Sequence, residues 1–240
     1  MSDGTQEAPH RRARLLWTLL GAMVVVGLVP LVVSHYFLIR INRDSLETLE
    51  RKYLSRSAAG ISIDIQNLLT NNTQQLMKIA GNVRALKRAL PAGSDPFVYA
   101  AQSGMIADYI TPDGDLLGMR ILNREGKGAE AKPAQLDAAI AQELDLALQA
   151  ALKGQVYTGT FQYVAAANQP AVVIAVPVVD DGANIGVVEA IVSLRRISER
   201  IREEGKGDVT AFVVDGDGKV LLHSEPAVQV QHPDFSNLKI

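Results

Sequence analysis

From Leu15 to Ile39 the chain runs LLWTLLGAMVVVGLVPLVVSHYFLI without an Asp, Glu, Lys or Arg. A bilayer core is about 30 Å thick and a helix rises about 1.5 Å per residue, so about 20 apolar residues span it. Trp17 and Tyr36 lie near the two ends, where amphipathic rings favour the membrane interface. A cleaved signal peptide is the alternative. Arg11, Arg12 and Arg14 would form its basic start, and Val32-Val33-Ser34, with Pro30 upstream, its cleavage site. The run exceeds the roughly 7–15 apolar residues of such a segment. A buried core helix would rarely stay uncharged for so long. The segment therefore reads as a retained transmembrane helix over 15–39, behind a short tail over 1–14.

Charge alone does not orient this helix. Arg11, Arg12 and Arg14 precede it, whereas Arg40, Arg43, Arg51 and Lys52 follow it. The 240 residues leave room for one or two domains beyond the anchor, and a net charge of -2 argues against a nucleic-acid surface. With no cysteine, disulfides, thiolate metal sites and a thiol nucleophile are excluded. His10, His35, His223 and His232 are scattered without metal-ligand spacing.

Past the anchor, Leu46, Leu49, Tyr53, Ser57, Ile61, Ile65, Leu68, Asn72, Leu76, Ile79, Val83, Leu86 and Leu90 recur at gaps of three and four. That spacing predicts one stripe on a stalk helix over 40–90, stopped by Pro91-Ala-Gly-Ser-Asp-Pro96. A helix from 41 to 90 is about 75 Å long, more than one small domain can cover. Pairing in a parallel homodimer through this stalk is expected.

Beyond it, Asp95 and Pro96 have the chemistry of an N-cap and a first helical position. Met105 to Ile110 and Leu116 to Leu122 flank Thr-Pro-Asp-Gly-Asp and read as a hairpin. Asn123 to Lys132 reads as a polar loop, and Pro133 to Leu152 as a helix ending at Lys153-Gly154. Val156 to Val164 reads as a strand with Tyr157, Phe161 and Tyr163 on one face by period two. Two apolar strands, Ala171 to Val178 and Ile185 to Leu194, flank an Asp180-Asp181-Gly182 turn, and Arg195 to Glu204 reads as a charged helix. After Gly205-Lys206-Gly207 a second hairpin follows, Val209 to Val214 and Lys219 to His223. Its Asp217-Gly218 matches Asp113-Gly114, a weak internal repeat.

This order of elements resembles the double-Cache extracytoplasmic sensor domains of bacterial transmembrane receptors. The resemblance rests on Ile61 to Leu90 for the long helix and Ile106 to Arg120 for the first hairpin. PAVVIAVPVVDDGANIGVVEAIVSL carries the distal sheet, and AFVVDGDGKVLLHSEP the opening of the proximal module. It is one of pattern and covers most of 41–240. It implies an α+β fold: a transmembrane helix, a stalk, a membrane-distal PAS-like module over 91–204, and the start of a membrane-proximal one over 205–240. It implies an inner-membrane protein with its body extracytoplasmic, and a polypeptide continuing past Ile240 into a second membrane helix and a cytoplasmic output domain. The amino-acid-binding subclass of this family uses Arg, Trp and Tyr around the stalk-to-sheet region and an Asp late in the distal strands. Here Trp17 is the one Trp, and Ile191 stands where that Asp falls.

The residues left for a distal pocket are Tyr109, Arg120, Tyr157, Phe161 and Tyr163. Arg120 can pair a carboxylate bidentately, and the aromatics can wall it in. The ligand expected is small and carboxylate-bearing or neutral. The same residues could instead be ordinary sheet-face and core positions. Asp215-Gly-Asp217-Gly-Lys219 lacks the later ligands of a calcium loop and reads as a turn. RRISERIR over 195–202 reads as a solvated linker face. GxSxG, P-loop and GxGxxG patterns are absent, and no nucleophile stands beside a base, so neither catalysis nor a cofactor is expected. The function read from the sequence is a ligand-sensing input module of a receptor. A singly anchored or secreted solute-binding or adhesion protein is the alternative.

Overall fold

Between Ile61 and Val83 the apolar stripe becomes the spine of a folded core. In this computed structural model, which describes residues 8–110, 114–133, 136–206, 209–215 and 219–225, helix α1 runs Ala8–Ala89. Pro30 lies inside it, as transmembrane helices tolerate. The chain divides into two compact units, residues 1–58 and 59–240. In the first, apolar side chains from Leu16 to Ile41 are exposed around the helix, which is long and apolar enough to cross a membrane. Leu46, Leu49 and Tyr53 are exposed as well.

In the second unit the predicted stripe turns inward. Ile61, Leu76, Ile79 and Val83 are buried, and Ile65 and Leu68 pack against them. Asn72 is buried among them and donates from Nδ2 to the Leu68 carbonyl at 2.9 Å, so its polar group is satisfied within its own helix. Leu76 is fully buried, and truncating it to Ala should cost about 2–5 kcal/mol.

Against the stripe lies an antiparallel sheet of five strands: β1 (Leu116–Asn123), β2 (Gly128–Ala131), β3 (Tyr157–Val164), β4 (Gln169–Asp180) and β5 (Ala183–Ser193), in the order β2-β1-β5-β4-β3. Alternate residues of β4 serve opposite faces. Val172, Ile174, Val176 and Val178 meet α1, together with Phe97 and Ala100 of helix α2 (Pro96–Gln102). Ala171, Val173 and Ala175 meet Ile140, Leu144, Ala147 and Ala151 of helix α3 (Ala138–Leu152). Helix α4 (Arg195–Glu204) buries Ile197 and Ile201 in the α1-side core. A separate hairpin, β6 (Phe212–Val214) and β7 (Val220–His223), follows and adds Leu222 to that core.

Local chemistry sets several boundaries. Asp95 caps α2, accepting from the Phe97 amide at 2.8 Å, with Pro96 first in the helix. The β4–β5 turn has Asp181 at φ 49° and Gly182 at φ 79°, the two positive values a two-residue hairpin turn requires. α3 starts at Ala138, five residues later than the sequence suggests.

Three expectations fail. Met105 to Ile110 forms turns, not a strand, with Gly104 at φ 68° and the Ala107 amide bonded to the Gly104 carbonyl. The outer partner of β1 is instead β2, inside the stretch read as a loop. Asn123 makes this compact: its Oδ1 accepts from the Glu125 and Lys127 amides, closing a short turn with Gly126 at φ 74°. The proposed internal repeat therefore loses its first hairpin. Asp113 and the Asp217-Gly218 half of that match lie outside the described residues. Lastly, β3 does not keep period two. Its pairing with β4 shifts between Thr158 and Phe161, which sends Tyr157 to the α3 side and Phe161 to the α1 side.

Candidate functional site

One row of residues crosses the whole sheet. Glu130 on β2 faces Arg120 on β1, Arg120 faces Glu189 on β5, Glu189 faces Ala175 on β4, and Ala175 faces Tyr157 on β3. Ala175 and Tyr157 pack with α3, so the row lies on the α3 face. Ala175, the small member, is fully buried against α3.

At the centre of the row Arg120 and Glu189 form an ion pair. Arg120 Nε donates to Glu189 Oε2 at 2.6 Å, and its Nη2 lies 2.5 Å from the same oxygen. Nη2 also donates to the Leu144 carbonyl of α3 at 3.3 Å. The Glu189 side chain is fully buried and that of Arg120 is 15% exposed. Glu189 Oε1 is buried with no hydrogen-bond partner. Burial pushes the Glu189 carboxyl up to about 7. Arg120 pulls it back only in part, and Asp145 on α3 pushes in the same direction as burial. Gly118, Lys132, Leu144 and Ile191 surround the pair, and the gap between them is too narrow to admit water. Gly118 belongs in this wall because a Cβ there would lie 3.1 Å from the Ala131 carbonyl oxygen and 3.3 Å from Ile191 Cδ1.

The far end of the row closes on α3 through a second carboxylate. Tyr157 Oη donates to Glu143 Oε2 at 2.7 Å, and Thr160 Oγ1 donates to Oε1 at 2.6 Å. Burial and then Glu143 raise the Tyr157 hydroxyl to about 12, so it stays a donor. Gly159, between them in β3, leaves room for this carboxylate, because a Cβ there would come within 2.5 Å of Glu143 Oε2.

Of the five residues singled out from the sequence, Arg120 and Tyr157 share this row. Tyr109 and Phe161 pack into the α1-side core, on the other face of the sheet. Tyr163, two residues beyond Phe161, follows its face by alternation and donates from its hydroxyl to Asn168 Oδ1. The five therefore do not wall a single pocket. Sequence reasoning missed Glu189 and Glu143. The first was visible as the lone charge in the apolar strand GVVEAIVSL. The second falls on the stripe of Ile140, Leu144, Ala147 and Ala151 at helical spacing. Ile191, the position at which the resemblance would put an acid, is buried on the same face as Glu189, two residues along. Among the described residues no three His, Cys, Asp or Glu side chains converge as a metal set.

The sequence profile of the Cache domain matches residues 42–239. Solved structures share the fold. The ligand-binding domain of the Pseudomonas aeruginosa PAO1 amino-acid chemoreceptor PctC, in complex with GABA, aligns at a TM-score of 0.55 and 14% identity, over 77% of this chain and 84% of that one. The ligand-binding domain of PctB from the same organism, in complex with L-Arg, aligns at 0.51 and 21% identity, over 78% and 69%. No curated protein matches the sequence.

Proposed function

The chain belongs to the Cache domain family, and from that premise we propose that it is the extracytoplasmic input module of a transmembrane receptor, sensing a small carboxylate-bearing organic molecule. The observation that carries this reading is Arg120: a guanidinium held on the α3 face of the sheet, 15% exposed, between two carboxylates in its row. A planar fork of donors in a largely desolvated place is suited to binding a carboxylate. The ligands of the PctC and PctB structures, GABA and L-Arg, both carry one. Ile191 and the absence of a Trp beyond Trp17 speak against an amino acid held through its ammonium group.

In this reading 15–39 anchors the chain in the inner membrane, the body lies outside, and the stalk pairs with that of a second copy. Helix α1 contains both the apolar run and the stripe under the sheet, so a shift of the sheet on that stripe acts on the helix that enters the membrane. Signalling requires a ligand that binds two arrangements of this packing unequally. A reporter fused after residue 240 should be active only outside the inner membrane. With the full chain in lipid nanodiscs, titration of a panel of small carboxylic acids should raise the calorimetric melting temperature, and Arg120→Gln should abolish the response while folding normally. A reporter active in the cytoplasm, or a ligand response that survives Arg120→Gln, would overturn the assignment.

A further inference from the structure

Arg120 is already occupied. Its guanidinium touches the carboxylate of Glu189 through two nitrogens, and both reach the same oxygen, Oε2. The second oxygen, Oε1, is buried and bonded to nothing. A carboxylate that met the fork with both oxygens would form two parallel hydrogen bonds and leave no acceptor stranded. Glu189, directly opposite Arg120 across the ladder, does not meet the fork in that way. No space remains between the pair and its walls for another group. Arg120 is therefore held by a tethered carboxylate that leaves one of its own acceptors unbonded.

We propose that Glu189 is a built-in competitor for the ligand carboxylate: an incoming monocarboxylate takes its place on the Arg120 guanidinium, and the displaced Glu189 takes up one proton from solvent. This rests on the reading of Arg120 as a carboxylate site. The balance is simple. One hydrogen-bonded ion pair breaks, another forms, and one proton moves from water to Glu189, so the net charge of the buried set is unchanged. The surroundings favour that proton. The charged groups around Glu189 are Arg120 from β1, Lys132 just past β2, and Asp145 from α3; the residue opposite it on β4 is Ala175. Lys132 is paired to Glu130 at 2.8 Å, and Glu143 is held by Tyr157 and Thr160. Once Arg120 is taken by the ligand, no cation nearby is left unpaired to hold Glu189 ionised. Its carboxyl, already raised to about 7 beside Arg120, rises further. Glu189 thereby sets selectivity as well. A ligand must outcompete a carboxylate held at high effective concentration, and does so more easily as the medium acidifies.

The test uses the full chain in lipid nanodiscs and acetate as the probe, by titration calorimetry in two buffers of different ionisation enthalpy. The expected result is uptake of about one proton per acetate near pH 8, and an affinity that falls about tenfold per pH unit above 7. Glu189→Gln should bind acetate at least tenfold more tightly near pH 8, with no proton uptake and no pH dependence. Arg120→Gln should not bind it. If acetate binding requires Arg120 but takes up no proton, the displacement is wrong and the carboxylate site stands. If neither the wild-type chain nor a folded Glu189→Gln chain binds acetate at any pH from 5 to 8, the carboxylate site itself is wrong. Should Glu189→Gln not fold, the proton count and pH slope of the wild-type chain decide alone.

Discussion

Arg88, in the last turn of α1, grips Asp180 at the β4–β5 turn: its Nη2 donates to Asp180 Oδ1 at 2.8 Å and its Nε to the same oxygen at 3.1 Å. Lys87 Nζ takes the other oxygen at 3.0 Å, and Arg88 reaches Asp181 as well. The end of the long helix is thus tied to the tip of the central hairpin, 92 positions away in sequence.

The Lys87 hydrogen bond, with help from Arg88, holds the Asp180 carboxyl below its ordinary value. The folded chain binds this proton less readily than the unfolded one. The tie therefore stabilises the fold above the ordinary aspartate range and is lost as pH falls through the lowered value. Asp180→Asn should lower the melting temperature by a few degrees at neutral pH and make the acid arm of the stability profile shallower. An unchanged acid arm would show that the tie contributes nothing.

Glu189 has the opposite sign. Its carboxyl is raised from 4.5 to about 7, so the folded chain holds this proton more tightly than the unfolded one. Stability on its account is full below 4.5 and declines as pH rises to about 7, by on the order of 3 kcal/mol for a shift of this size. Melting curves of the wild-type chain and Glu189→Gln, compared from about pH 5 to pH 8, should show the wild type losing ground as pH rises. A constant difference would place the titration of Glu189 elsewhere.

Gly186 and Gly81 should respond oppositely to a methyl group. A Cβ on Gly186 would stand 2.3 Å from the Phe97 ring and 2.4 Å from the Leu122 carbonyl oxygen, and that backbone is fixed in the β1–β5 ladder. Gly186→Ala should cost about 1–3 kcal/mol by overpacking. A Cβ on Gly81, within α1, meets nothing within 4 Å. Gly81→Ala should stabilise the chain by up to about 1 kcal/mol through helix propensity. Calorimetric melts of the two variants check both signs.

The proposed stalk pairing can be tested by crosslinking, because the chain has no cysteine of its own. Leu46, Leu49 and Tyr53 continue the stripe and are exposed in the single chain by 65%, 63% and 64%. Single cysteines there should crosslink between copies in membranes better than cysteines at Thr48 or Arg51, which lie off the stripe. Equal yields at all five positions would exclude a parallel stalk pair.

Much of the fold was legible because its signals are local. The gaps of three and four from Ile61 to Val83 identify the buried face of α1. Asp95-Pro96 marks the start of α2, and Asp180-Asp181-Gly182 fixes a hairpin turn. The errors fell where a local signal had two readings. Met105 to Ile110 is apolar enough for a strand, yet its backbone turns at Gly104, while Gly128–Ala131 looks polar and pairs with β1. At the candidate site Arg120 was legible as a fixed cation in a strand. Its partner was passed over, since nothing near position 120 in sequence points to position 189.

The sequence by itself determined most of the elements: the long helix with its buried face, the start of α2, the β4–β5 turn, and that an uncharged segment long enough to span a bilayer precedes them. Those properties depend on neighbours within a few residues, through helical periodicity, proline and glycine dihedrals, and capping. The tertiary structure alone decided which side chains meet. A single shift of register in β3 separated Tyr157 from Phe161 onto opposite faces. Antiparallel pairing of β1 with β5 brought together Arg120 and Glu189, 69 residues apart, and buried both. β1 and β5 are joined by no turn, so their register follows from packing the sheet between α1 and α3 rather than from a pattern within either strand.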